Sequence, residues 1–299
     1  MLIFPSLKVV TKLAPKTARS TLAPFQTFLM RRVLFLFSAF LPFLFWGAVL
    51  AADPYQDALD FHKGELEAIL KRVTLQAEQG DADAQARLGL MYWRGFDVPK
   101  DLKLAIKWYT LATDQGHAEA QFRLGKMILH GSGIERDQKR GLEMYALSAD
   151  RGYALAQYRL GLLYHYGMGE LKPDLKIAFK WYLRVAKQGI PFGQNRVGEF
   201  YAKGLGVRRD NKAAIRWFTL AAEQGRLDAQ LNLGVAYEKG DGTPQDYVRS
   251  LMWYNIVSSR TGRPWHKKRA ALAEKMTPAD IAQAQKLAYE CRQQYYRGC

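Results

Sequence analysis

Apolar residues recur along this chain in short stripes at helical spacing, and the stripes themselves recur. Just after Asp81, residues Ala84, Leu88, Met91 and Tyr92 follow the i, i+4, i+7, i+8 pattern of one buried helix face. After Asp101, residues Ala105, Trp108, Tyr109 and Ala112 form a second stripe. Asp81 and Asp101 stand where an N-cap is needed, and Gly95 and Gly116 stand where each helix should end. The pattern therefore predicts a helical hairpin over roughly 81–116.

That hairpin is one of five. The glycine closing the second stripe recurs at Gly80, Gly116, Gly152, Gly189 and Gly225, at spacings of 36, 36, 37 and 36. A small residue followed by glutamine moves in step at Gln85, Gln121, Gln157, Gln194 and Gln230, as does an apolar-glycine pair at Gly89, Gly125, Gly161, Gly198 and Gly234. An Asp opens each second helix at Asp101, Asp137, Asp174, Asp210 and Asp246. An aromatic pair follows, as Trp108-Tyr109, Trp181-Tyr182, Trp217-Phe218 and Trp253-Tyr254, with Met144-Tyr145 in the second copy. One such hairpin cannot bury its stripe alone, so the units must stack. The expected fold is all-α: a solenoid of about five helix-turn-helix repeats over 80–262, with capping helices at 53–79 and at 263–299. Residues 65–79 read as the second helix of a degraded leading repeat, and 266–275 as one more first helix. Thr277-Pro278 reads as the N-cap and first turn of a final polar helix.

The blocks GDADAQARLGLMYWRG and DLKLAIKWYTLA resemble the Sel1-like repeat, a relative of the tetratricopeptide repeat with a longer period. The resemblance covers about residues 65–262. It implies a right-handed α-solenoid that binds proteins or peptides as a scaffold or adaptor, and not an enzyme. A cysteine-rich branch of the family, linked to β-lactam binding or hydrolysis, carries a cysteine pair in each unit. The repeats here contain none, so that activity is not carried over.

The chain's formal charge of +16 changes little once it is located. Residues 1–52 hold six basic and no acidic residues, leaving 38 basic against 28 acidic, or +10, for 53–299. The N-terminal stretch reads as an export signal: Arg31-Arg32, an apolar run from Val33 to Leu50, then Ala51-Ala52 before Asp53. Met30 stands where such a signal would begin, so it is a candidate true start. Cleavage after Ala51 or Ala52 would send the repeats to the periplasm or outside the cell. An uncleaved segment would anchor them to the membrane with the repeats outside the cytoplasm, because about 18–20 apolar residues can span a bilayer.

Candidate chemistry is sparse. The G-x-G pairs such as Gly131/Gly133 and Gly204/Gly206 recur once per repeat at the same turn and lack a third glycine and a preceding strand, so they read as turns and not phosphate loops. The five histidines show no metal-ligand spacing and read as surface residues. Neither a metal nor a cofactor is expected. Cys291 and Cys299 could form a local disulfide, stay free or pair between chains.

One column does point to binding. Arg87, Arg123, Arg159 and Arg196, then Asn232, precede the apolar-glycine pairs, on the helix face opposite Leu88 and Tyr92. Phe122, Tyr158, Trp93 and Tyr166 fall on the same side. If the first helices line an inner wall, these residues make a basic, aromatic concave groove for a protein or peptide partner with an acidic or C-terminal segment. The competing reading is a solvated face whose arginines pair with acids of their own chain. Two other functional classes compete with the scaffold. An envelope enzyme acting on peptidoglycan or related amides would need a nucleophile or acid/base set that the chain does not display. A nucleic-acid binder fits the Arg/aromatic face but not the export signal.

Overall fold

Each repeat begins where a side-chain oxygen or a turn replaces the missing helical partner. Asp101 accepts hydrogen bonds from the Lys103 and Leu104 amides at 2.8 and 2.9 Å. Asp137, Asp174, Asp210 and Asp246 each accept one amide hydrogen bond from three residues ahead. The backbone N–H of the same Asp reaches back to the preceding helix, as Asp174 to the Tyr164 carbonyl at 2.7 Å. One residue thus starts the second helix of a hairpin and fastens it to the end of the first. The stop is equally local: Gly95 adopts φ +72°, a left-handed conformation that costs a residue with a Cβ about 1 kcal/mol or more.

These signals produce an array of helices in a computed structural model of the chain, which describes residues 54–168, 171–261 and 266–299. The helices are α1 (Pro54–Glu78), α2 (Ala82–Arg94), α3 (Leu102–Asp114), α4 (Ala118–His130), α5 (Gln138–Asp150), α6 (Ala154–Tyr166) and α7 (Leu175–Lys187). They continue with α8 (Pro191–Lys203), α9 (Asn211–Glu223), α10 (Leu227–Lys239), α11 (Tyr247–Thr261), α12 (His266–Ala273) and α13 (Pro278–Gln293). No strand occurs among the described residues; one isolated bridge joins Met168 and Leu171. Leu59–Cys299 forms one compact unit. Of the other unit, Met1–Ala58, only the start of α1 is described, so the export signal and the extension before it lie outside the described residues.

The five repeats are the pairs α2/α3, α4/α5, α6/α7, α8/α9 and α10/α11, each trailing helix packing in turn on the next leading helix. The segment expected to hold several capping helices at 53–79 is one continuous helix of 25 residues, because no glycine or proline interrupts 55–78 except Gly64. Its end does the work of a trailing helix: Val73 and Ala77 are buried against Ala84, Leu88 and Trp108. At the other end, α13 covers α11, with Ala288 and Cys291 buried beside Trp253 and Ile256. The expected Thr277 cap is present as a reciprocal capping box with Asp280.

Within each hairpin the aromatic of the trailing helix lies flat on a glycine of the leading one. A Cβ on Gly161 would stand 2.5 Å from Cε1 of Tyr182, and Tyr109, Phe218 and Tyr254 crowd Gly89, Gly198 and Gly234 in the same way. The two backbones can approach because nothing but hydrogen intervenes. The ring then fills the space with no void.

Between repeats, the conserved-register glutamine makes a buried polar joint. Nε2 of Gln85, Gln157 and Gln230 donates to the carbonyls of Ala77, Ala149 and Ala222 at 3.0, 2.9 and 3.1 Å, tying a leading helix to the preceding trailing helix. Its Oε1 accepts from the residue that ends its own hairpin. Gln115 donates to Gln85 at 2.8 Å and to the Gly80 carbonyl at 2.8 Å. Gln188 spans Gln157 and Gly152, and Gln224 spans Gln194 and Gly189. Arg260 takes the same place for Gln230 and Gly225. In the second repeat the residue is Arg151, whose guanidinium lies over Gly116, and Gln121 Oε1 is buried without a partner.

Arg151→Gln should therefore complete the missing joint and raise stability by about 0.5–1.5 kcal/mol, whereas Gln188→Ala should lower it by about 1–3 kcal/mol by leaving the part-buried Gln157 Oε1 without its donor. Opposite shifts of the urea midpoint are expected. A midpoint unmoved by either substitution would mean that the joints contribute nothing.

Candidate functional site

The exposed strip of the leading helices carries the arginine column, but the four arginines are not equivalent. Arg123 is half-buried and bound to Glu119, one turn earlier on α4, at 2.7 Å from Nε. Arg196 donates to Glu199 at 2.7 Å and approaches the Tyr158 hydroxyl at 3.4 Å. Asn195 also donates to Glu199, at 2.8 Å, and accepts from Asn232 at 3.0 Å. A single polar chain thus runs across α6, α8 and α10. Arg87 and Arg159 are exposed, and no ion pair to either occurs among the described residues. The column is half ladder and half internal bracing. Spacing alone does not separate the two kinds: Glu119 stands four residues before Arg123 and Glu199 three after Arg196, but Asp83 also stands four before Arg87 and lies instead 2.9 Å from His117.

The aromatics divide too. Tyr166 is 65% exposed and stacks on His165 at 4.2 Å. Trp93 is half-buried, with the Lys126 ammonium 5.5 Å from its ring. Tyr158 is half-buried, edge-on to Phe192 at 4.6 Å. Phe122 is only 8% exposed, stacked on Tyr145 at 4.9 Å and tilted against Tyr153, so it meets the strip only as part of a hollow's lining. Leu129, next to the last residue of α4, and Asn195, beside Arg196, are also buried. A helical wheel assumes one packed side. A leading helix is packed by its own hairpin partner and by the preceding trailing helix, which leaves a narrower free strip.

Three hollows lie along that strip. The first is bounded by Trp93, Tyr109, Phe122, Arg123, Lys126 and His130. The second lies between α4 and α6 and includes Arg136 and Arg159. The third lies between α8 and α10, with Phe218 and Ile215 beneath Lys203, Lys239, Glu199 and Asp241. Lys126 and Arg136, which no motif singled out, prove to be part of the first two. Of the histidines read as surface residues, His117 is an N-cap, accepting the Ala120 amide at 3.1 Å and lying 2.9 Å from Asp83. His165 is held among Tyr166, Tyr182 and Phe200. Burial, then the nearby Arg196 guanidinium, keeps its imidazole below the usual histidine range, against the opposing pull of Glu199. Among the described residues no His/Cys/Asp/Glu group could hold a metal ion.

Thirteen described helices, packed as stacked hairpins, define an α-solenoid. The chain matches the family model described as Sel1 repeat at residues 82–117, 118–153, 154–190, 191–225 and 227–256, more than half its length, and it belongs to the Sel1 repeat family. It is similar in structure to a Sel1 repeat protein from Oxalobacter formigenes, at 29% identity and a TM-score of 0.62, covering 77% of this chain and 98% of that one. It is also similar to c5321, described as a protective antigen present in uropathogenic Escherichia coli strains and displaying an SLR fold, at 26% identity and a TM-score of 0.51. That match covers 76% of this chain, which spans 56% of the antigen's length. Comparison with curated proteins gave no match. Sel1-repeat proteins commonly mediate protein–protein interaction, and the family is typically a non-catalytic scaffold.

The His165 environment makes a checkable statement. The folded chain holds the proton less tightly than the unfolded chain, so stability falls as pH drops from about 6.5 through the lower folded value. By nuclear magnetic resonance its titration midpoint should lie below about 6.5, rise in Arg196→Met and fall further in Glu199→Gln. A midpoint indifferent to both changes would remove the electrostatic account.

Proposed function

We propose that this chain is an exported interaction scaffold whose leading-helix strip holds an acidic or C-terminal segment of a protein partner. The observation that carries this reading is the exposure of Arg87 and Arg159, in register on one strip, with Arg159 lining a hollow that Tyr145 and Leu129 floor. Guanidinium groups without internal partners favour carboxylates in bidentate geometry, and aromatic side chains add contact area at low entropic cost. The remaining arginines, Arg123 and Arg196, brace the wall. Export is argued from the basic, apolar and small-residue succession over 30–52, and the Cys291–Cys299 disulfide suits an oxidising compartment such as the periplasm or the cell exterior.

Two measurements test the two halves. A photo-crosslinking residue at Leu162 should capture the partner, whereas one at Lys180 on the trailing helix α7 should not. Arg87→Glu with Arg159→Glu should weaken binding of the captured partner at least tenfold, about 1.4 kcal/mol or more, in a variant with an unchanged circular dichroism spectrum. Unchanged affinity in that folded variant would sink the strip as the binding face. For export, the mature chain should begin at Ala52 or Asp53 by N-terminal sequencing. Retention of residues 30–52 would instead make the segment a membrane anchor.

A further inference from the structure

The second hollow has three charged lining side chains, Lys126, Arg136 and Arg159, all basic, with His130 beside them and no carboxylate among the described residues; the first hollow also lacks a lining carboxylate, but its Arg123 is already bound to Glu119. Three described acids close to it in sequence are placed otherwise. Glu119 is bound to Arg123, Asp137 caps α5, and Glu135 is not among the lining residues. The third hollow, by contrast, balances Lys203 and Lys239 with Glu199 and Asp241. Positive charge free to act is therefore concentrated at repeats 2 and 3.

The same hollow has an apolar base. Leu129 and Tyr145 are 8% and 4% exposed, and Leu162, Leu163 and Met168 complete the wall. Its volume is about 350 Å³, within the range of about 300–1,000 Å³ in which ligands are held. Lys126 and His130 also line the smaller hollow of about 80 Å³ that Trp93 and Phe122 bound, so the two adjoin. The rim is held in place. The Asp137 amide returns to the Ile128 carbonyl at 3.2 Å, which sets Arg136 over the end of α4. Gln138 donates to the Met168 carbonyl at 2.9 Å, pinning the far side.

We infer that this hollow is the anchor point of the scaffold and takes a glutamate or aspartate adjacent to a bulky apolar residue of the partner. The carboxylate would lie between Arg136 and Arg159, and the apolar side chain on Leu129 and Tyr145. A cation cluster over a dry base discriminates twice: the charge rejects neutral polar segments, and the base rejects acidic segments lacking an apolar neighbour. This inference rests on the strip being the binding face, as proposed above, and narrows it to two repeats and one peptide chemistry.

The test uses the exported chain and a fluorescein-labelled octapeptide of alternating glutamate and leucine, read by fluorescence anisotropy. Binding is expected, at least tenfold weaker for the glutamine–leucine and glutamate–serine versions. Arg136→Ala with Arg159→Ala should lose at least tenfold, while Lys203→Ala with Lys239→Ala should stay within twofold. Arg136→Glu with Arg159→Glu should instead prefer a lysine–leucine octapeptide, a gain that misfolding cannot produce. Equal loss in the two alanine variants, equal binding of the glutamine–leucine peptide, or binding of phosphatidylglycerol vesicles in place of the peptide would each overturn the inference. If the natural partner still crosslinks at Leu162 while the peptide fails to bind, the anchor falls and the binding strip stands. If neither occurs, both fall.

Discussion

A buried glutamine between one repeat and the next sets the terms for the rest of this molecule. A solenoid has neither a sheet ladder nor a single central core to align its parts, so each hairpin must be registered on its neighbour. Apolar contact alone would tolerate sliding and rotation. Gln85, Gln157 and Gln230 prevent this because their amides meet a backbone carbonyl of the preceding helix and a side chain from their own hairpin at once. An amide buried without such partners would cost about 1–3 kcal/mol, so misaligned stackings are penalised more than the aligned one is rewarded. Gln121, whose Oε1 is buried without a partner, marks the place where the array departs from this rule.

With register settled by polar joints and distance by rings resting on glycine, the outer parts of the array are free to differ. The ends are closed by other means. At the C-terminus, α13 buries Ala284, Ala288 and Cys291, and the disulfide to Cys299 folds the tail back. There Tyr296 lies 5.2 Å from the Arg260 guanidinium, and the Gly298 amide meets Glu223 at 3.2 Å. Arg260 thus joins the last repeat and supports the cap over it, which explains why this joint tolerates an arginine where three others use glutamine. Terminal units of solenoids need such closure, because the last stripe has no further repeat to cover it.

The charge of the leading-helix strip is also a product of packing. Glu119 and Glu199 are only partly exposed and hold Arg123 and Arg196 within their own helices. Their effect is on what remains available: Arg123 and Arg196 are committed, whereas Arg159 and, from a loop, Arg136 are not. Net basicity along the chain is therefore a poor guide to where an anion would bind.

What could be read from the sequence was whatever repeats at short range. The caps at Asp101 to Asp246, the glycine stops, the aromatic pairs and the count of five hairpins depend on neighbours within one turn or one hairpin, and those neighbours are adjacent in the chain. The recurrence of glutamine was equally visible, but its purpose was not, because its partners lie 8 and about 30 residues away on other helices. The candidate face was legible only in part for the same reason. A helical wheel gives direction relative to one axis, and only the stacked array showed that Phe122 and Asn195 point into a seam. The arginine column was legible as a column, while its division into braced and free members required the positions of Glu119, Glu199 and Tyr158. Sequence alone determined the repeat, the helices and the solenoid class, since periodic local constraints are written residue by residue. Tertiary structure decided which side chains are left unpaired, since that depends on distances between helices that no periodicity contains.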